Sequence, residues 1–174
     1  MKSIEIRRHS IRTKPGDHLS QQGVTLARLV GENLGPFARV VTSTLPRAFE
    51  TAIAMGFAVD EQNELMSSYG RDVEREAPWP LSFARYAEVV RNGSAAARYA
   101  QQLATFYSKL ADHLAEGRAA LVINHGGVLE LGVMACLPDK DYEFWGEAGD
   151  YCEGARLFWE AGKFVNAELL RVPK

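Results

Sequence analysis

Two short apolar runs in this 174-residue chain end on a histidine: "SIEIRR" leads into His9, and "AALVIN" into His125. A third run, "ARVVTS", is soon followed by Pro46 and Arg47. Neutral imidazole, with an ordinary pKa of about 6.5, has a lone pair available near neutral pH and can attack without a separate base. Arginine carries forked donors that match phosphate oxygens, and Arg8 and Arg47 stand at two of these junctions. A helix that starts after a strand adds unpaired N–H groups and partial positive charge. Together these residue types can hold a tetrahedral anion and transfer a phosphoryl group. Gly126 and Gly127, directly after His125, would let backbone come close behind such an anion and let the next helix pack tightly. His18, in a polar loop, and His113, near a helix end that favours a cation, read as surface residues.

For these residues to meet, they must leave one sheet at one edge. Open α/β folds place ligands outside the carboxyl ends of their strands. Residues 3–8 read as a strand entering the loop "SIRTKPGDH". Ser20 is a candidate N-cap for a helix whose Leu26, Leu29, Val30 and Leu34 share a face, with Gly35-Pro36 as the stop. "ARVVTS" reads as a second strand. Ser43 or Thr44 can cap the following helix, Pro46 suits its first turn, and Phe49, Ala52, Ile53 and Gly56 fall on one side.

Residues 57–94 are the least legible, with "PWPLSF" as an interruption, a helix from about Leu81 to Arg91, and a break at "NGS". A long helix follows, striped by Tyr99, Leu103, Phe106, Tyr107, Leu110 and Leu114 and ended by Gly117. The continuous apolar character of "AALVIN" suits a central strand covered on both faces. "GVLELGVMACL" reads as a helix ending at Pro138, and the tail as a hairpin turning at Ala161-Gly162-Lys163. Strands alternating with helices predict an α/β three-layer sandwich with a mostly parallel central sheet and a C-terminal β-hairpin, in one domain over residues 1–174.

Composition narrows the partners. The formal net charge is -2, which gives no electrostatic footing for nucleic acid or an anionic membrane, so an anion site must be local. Cys136 and Cys152 form neither a CxxC pair nor a metal-spaced cluster, and a disulfide framework is not expected in a chain with 47% hydrophobic residues. "MKSIEIRRHS" lacks the apolar stretch of a signal peptide, and no apolar run approaches the ~18 residues of a membrane span. A cytoplasmic protein without cofactor or metal, acting on a small phosphorylated substrate, is the expectation.

The blocks "RRHS" (7–10), "HLSQQGVTLARLVGENL" (18–34), "VVTSTLPRAFETAIAM" (40–55) and "LVINHGGVLELG" (121–132) together resemble the histidine phosphatase superfamily, the phosphoglycerate mutase-like proteins. They occur in that family's order and spacing, from residue 4 to about 135. The resemblance implies that His9 is the nucleophile that becomes phosphohistidine. By the same resemblance Arg8 and Arg47 grip phosphate, and His125 is the second histidine of the phosphate pocket.

Two positions depart from the pattern. Ser10 stands where the family usually has glycine, so either its backbone differs locally or its hydroxyl contacts phosphate beside Gly126. Where the family often has an acid to protonate the leaving oxygen, this chain has Met66 or Ser67. Glu64, Asp72, Glu74 and Glu76 lie nearby, and Glu74 has the best reach. Three readings follow: a metal-independent phosphatase of a small phosphomonoester, a phosphohistidine or phosphoprotein phosphatase, or a catalytically weakened phosphate-binding regulator.

Overall fold

The computed structural model describes residues 1–92 and 94–173, so the break read at "NGS" lies partly outside the described residues, at Gly93. Six strands form one mixed sheet: β1 (Lys2–Arg8), β2 (Arg39–Thr42), β3 (Glu61–Gln62), β4 (Ala119–Asn124), β5 (Gly154–Glu160) and β6 (Lys163–Leu170). Their order is β3-β2-β4-β1-β5-β6. The pairs β3–β2, β2–β4 and β4–β1 are parallel, whereas β5 runs antiparallel to both β1 and β6. The three-layer sandwich and closing hairpin are therefore as expected. Ala161 and Gly162 both have positive φ, 50° and 78°, the backbone a two-residue hairpin turn demands.

Among the described residues six α-helices cover the sheet: α1 (Gln21–Gly31), α2 (Pro46–Ala54), α3 (Gly70–Glu76), α4 (Phe83–Arg91), α5 (Ala95–His113) and α6 (Val128–Cys136). The continuous apolar run of β4 is explained by its place between β2 and β1. Leu121 and Ile123 face the small core under α1 and α2, while Ala120 and Val122 join the large core under α4, α5 and α6.

The apolar stripes expected on α1 and α2 need correction. Gly23, Ala27, Ala48, Thr51 and Ala52 are the buried residues of these helices, whereas Leu29 is 59%, Phe49 37% and Ile53 48% exposed. Small residues allow close helix packing here, and the large ones are displaced to the rim. Gly23 marks the tightest approach, because a Cβ there would sit 2.0 Å from the carbonyl oxygen of Ile11. Ser20 caps α1 as expected, accepting from Gly23 N–H, but neither Ser43 nor Thr44 caps α2. Leu45 takes that position, and Ser43 serves the site instead. In the illegible middle, β3, a 3-10 turn over Glu64–Met66, and α3 were not anticipated.

Candidate active site

Parallel pairing sets the geometry of the site. Arg8 of β1 lies opposite Asn124 of β4, so His9 and His125 leave neighbouring strands at the same level. The amide of His9 extends the ladder by donating to the Asn124 carbonyl at 2.9 Å. The two imidazoles are 5.1 Å apart between ring centres. Both rings are largely buried, and both line a cavity of about 680 Å³ together with Arg8, Arg47, Glu74 and Gly126.

Nδ1 of His9 is 2.7 Å from the carbonyl oxygen of Ser10. A carbonyl can only accept, so Nδ1 carries the ring hydrogen and Nε2 keeps the lone pair. Burial holds the His9 pKa down at about 3, and Arg8, Arg47 and Arg12 add to this against the opposing bond to Ser10. His125 is held at about 2 by burial first, then by His9, Arg47 and Arg8. Both rings are therefore neutral through the physiological range. Nε2 of His125 meets Ser43 Oγ at 2.6 Å, which explains why Ser43 is not a helix cap.

The two arginines are held differently. Arg47, in the first turn of α2, places Nε 3.3 Å from Nε2 of His9, and Asp17 anchors its Nη1 at 2.7 Å. The Arg8 guanidinium packs on two rings, 4.7 Å from the centre of Trp79 and 4.3 Å from that of Tyr151. Its Nη1 donates to the Gly149 carbonyl at 3.2 Å. Its Nε is buried and, among the described residues, lacks a hydrogen-bond partner, as does Nδ1 of His125. Buried polar atoms of this kind are costly unless an acceptor or donor arrives.

Two expectations about the backbone around the histidines are revised. Ser10 does not line the cavity. Its hydroxyl donates to the Gly23 carbonyl at 2.7 Å, its amide donates to Thr51 Oγ1 at 2.9 Å, and its carbonyl is taken by His9. Serine is tolerated because this residue has no positive φ. It fastens the His9 loop to α1 and α2. Gly126 does line the cavity, but a Cβ there would lie 2.4 Å from the Trp79 indole. The glycine makes room for the ring on which Arg8 rests. Gly127 has φ of +83°, and a Cβ there would come within 2.9 Å of the Tyr69 hydroxyl.

Among the four carboxylates near the missing acid, only Glu74 lines the cavity. Glu64 accepts from Thr44 Oγ1, Asp72 pairs with Arg75, and Glu76 caps α5 by accepting from Ala95 and Ala96 N–H. Met66 is fully buried, and Ser67 lines the cavity with its hydroxyl bonded to Thr44. His18 pairs with Glu50 in an exposed loop and His113 bonds within α5, both apart from the cavity. Trp79, Tyr151, Arg12, Lys14 and Arg71 also line the cavity and escaped sequence reasoning. Trp79 could have been found in "PWPLSF", and Arg12 lies three residues past His9. Nothing in the sequence marks Tyr151.

Among the described residues no group of three or more His, Cys, Asp or Glu could hold a metal ion, and no helix is long and apolar enough to cross a membrane.

The family model described as "Histidine phosphatase superfamily (branch 1)" matches residues 6–170. No curated protein matches the sequence. Solved structures with the same fold include phosphoserine phosphatase from Entamoeba histolytica in complex with 3-phosphoglyceric acid, with a TM-score of 0.70 and 16% identity over 99% of this chain and 98% of that one. Phosphoglycerate mutase from Bacillus anthracis str. Sterne gives 0.65 at 14% identity, over 94% and 90%. The mycobacterial glucosyl-3-phosphoglycerate phosphatase, solved with VO3, gives 0.67 at 18% identity, over 99% and 100%. At these identities the likeness establishes the fold.

Proposed function

The chain belongs to the histidine phosphatase superfamily and is a phosphatase; from that premise we propose that it hydrolyses a small phosphomonoester through a phosphohistidine intermediate on His9. The observation that carries this reading is the Nδ1 bond of His9 to Ser10, which leaves Nε2 unprotonated beside Arg47 in a neutral ring.

In this reading Nε2 attacks phosphorus, the P–N bond forms, and the P–O bond to the leaving alcohol breaks. Arg8 and Arg47 stabilise the charge on the phosphoryl oxygens. With Ser43 donating to Nε2 of His125, the hydrogen of that neutral ring sits on Nδ1 and is free for a third oxygen. The leaving oxygen takes a proton from Glu74 or from water. Water then attacks phosphorus and returns a proton to the group that supplied the first one, the P–N bond breaks, inorganic phosphate leaves, and Nε2 regains its lone pair. No step calls for a metal ion.

Arg12, Lys14 and Arg71 add three cationic side chains to the same cavity, more than one phosphoryl group needs. They support a substrate with a second anionic group. A phosphohistidine peptide is the second reading, favoured by buried Met66 and hydroxyl-bearing Ser67 where an acid was sought. A phosphoramidate needs less help to leave than an alkyl phosphate. The weakened-regulator reading loses one support, since Ser10 leaves the nucleophile well held. The free thiols of Cys136 and Cys152 suit a reducing compartment such as the cytoplasm.

Phosphate release from carboxylated phosphomonoesters, uncharged alkyl phosphates and a phosphohistidine peptide, measured side by side, tests the proposal. Fastest turnover of a carboxylated ester supports it, and fastest turnover of the peptide favours the second reading. No turnover of any, or turnover that survives His9→Ala, contradicts both.

A further inference from the structure

Glu130 stands in the first turn of α6 and is fully buried. Its two carboxylate oxygens serve different segments. Oε2 accepts from the Gly127 amide at 2.7 Å, and Oε1 accepts from the Gly149 amide at 3.0 Å. Gly127 belongs to the loop that begins at His125. Gly149 belongs to the loop that faces Arg8: its carbonyl accepts from Arg8 Nη1, Asp150 lies 3.6 Å from that guanidinium, and the Tyr151 ring packs against it.

We propose that Glu130 is a positioning residue, whose carboxylate joins the His125 loop to the Gly149–Tyr151 loop and thereby fixes Arg8 for the phosphoryl group. The inference rests on the reading of Arg8 as a phosphate-gripping residue.

The chemistry of two converging donors requires a carboxylate. Only an ionised carboxyl offers an acceptor oxygen to each amide; glutamine would turn an NH₂ group toward one of them. Aspartate at this position would be a methylene short of both. An apolar side chain would fill the interior without the cost of burying a carboxyl, and would leave both amides unpaired. That cost is visible, since burial raises the Glu130 pKa to about 7 against the amides of Gly149, Glu130 itself and Gly127 and against Arg8. The charged or titratable groups that face it are Arg8 from β1, Tyr69 just before α3, Tyr86 from α4 and Tyr107 from α5. The three tyrosines all have raised pKa values and stay neutral, so Arg8 supplies the one opposing charge in this set.

The test is inhibition of aryl phosphate turnover by inorganic phosphate at pH 8, measured in wild type, Glu130→Gln, Arg8→Ala and the double variant. Loss of one amide bond should raise the phosphate inhibition constant about tenfold in Glu130→Gln, with the thermal midpoint little changed. In the Arg8→Ala background the same substitution should change the constant by less than about twofold, because Glu130 acts through Arg8. Equal effects in both backgrounds, or a lowered thermal midpoint with an unchanged inhibition constant, overturn the proposal while leaving the reading of Arg8 intact. An unchanged constant in Arg8→Ala overturns both.

A wild-type measurement stands independently of how the variants fold. The ¹⁵N shifts of the Gly127 and Gly149 amides, followed from pH 5 to 9, should move with one shared midpoint. Two unrelated titrations, or none, overturn the coupling.

Discussion

Nε of Arg47 lies 3.3 Å from Nε2 of His9, the ring nitrogen left with a lone pair by the bond from Nδ1 to Ser10. A group transferred to that nitrogen comes to rest against the guanidinium. Asp17 holds the other side of Arg47, so its position does not depend on the substrate alone. His9, just past the end of β1, and Arg47, in the first turn of α2, are therefore held side by side by two separate elements.

Because the contact depends on a planar fork, charge alone should not replace it. Arg47→Lys is expected to raise the phosphate inhibition constant by about tenfold or more, from the loss of at least one charge-assisted hydrogen bond. Competitive inhibition of aryl phosphate turnover measures it. An unchanged constant would mean that Arg47 does not touch the phosphoryl group.

Gly126→Ala puts a Cβ into the Trp79 indole. The ring must move, and Arg8 loses one of its two stacking surfaces. Overpacking of this kind costs roughly 1–3 kcal/mol of stability. We expect that loss in urea unfolding together with weaker phosphate binding. A stable variant with native phosphate affinity would show that Trp79 moves freely and that its stacking on Arg8 is incidental.

Glu74 is tested by the leaving group. General-acid help is typically worth ~10²–10⁴-fold for a poor leaving group and little for a phenolate. If Glu74 donates the proton, Glu74→Gln slows an alkyl phosphate far more than an aryl phosphate in kcat/KM. Small, equal effects on both would remove Glu74 from the mechanism and raise the phosphohistidine reading above the phosphomonoester one.

Stability should depend on pH with a definite sign. His9 and His125 have folded pKa values of about 3 and about 2, below the ordinary 6.5. The unfolded chain thus binds more protons below pH 6.5, and stability is lost as pH drops below that value, by about 1.4 kcal/mol per unit per histidine. Glu130 acts oppositely between 4.5 and about 7, because its folded form holds the proton more tightly. The net loss between pH 6.5 and 4.5 should therefore correspond to about one histidine, and Glu130→Gln should steepen it. Urea unfolding across this range checks both slopes; a flat profile in wild type and variant alike would contradict the burial of the histidines.

How far the sequence reaches follows from what each residue's role depends on. His9, His125, Arg8 and Arg47 sit at strand ends and a helix start, where local pattern and family resemblance coincide, and the structure brings all four to one cavity. The central place of β4 was legible because both of its faces are covered, which demands unbroken apolar character. The middle was illegible because β3 has two residues and α3 only seven, too short for a period to emerge. Ser43 misled because a serine before Pro46 suits a cap and an imidazole equally well, and only the fold brings His125 near. The contacts of Trp79 and Tyr151 with Arg8 and of Glu130 with Gly149 join residues distant in sequence, so local spacing does not reveal them.

The central claim is the covalent intermediate on His9. Rapid acid-free quenching of wild type mixed with a ³²P-labelled phosphomonoester should trap label on the protein that survives base and is released by acid, as a phosphoramidate requires. Peptide mapping should place it at His9, and His9→Ala should carry none. Label that persists in His9→Ala, or substrate turned over by wild type with no acid-labile label at any mixing time, would contradict the account.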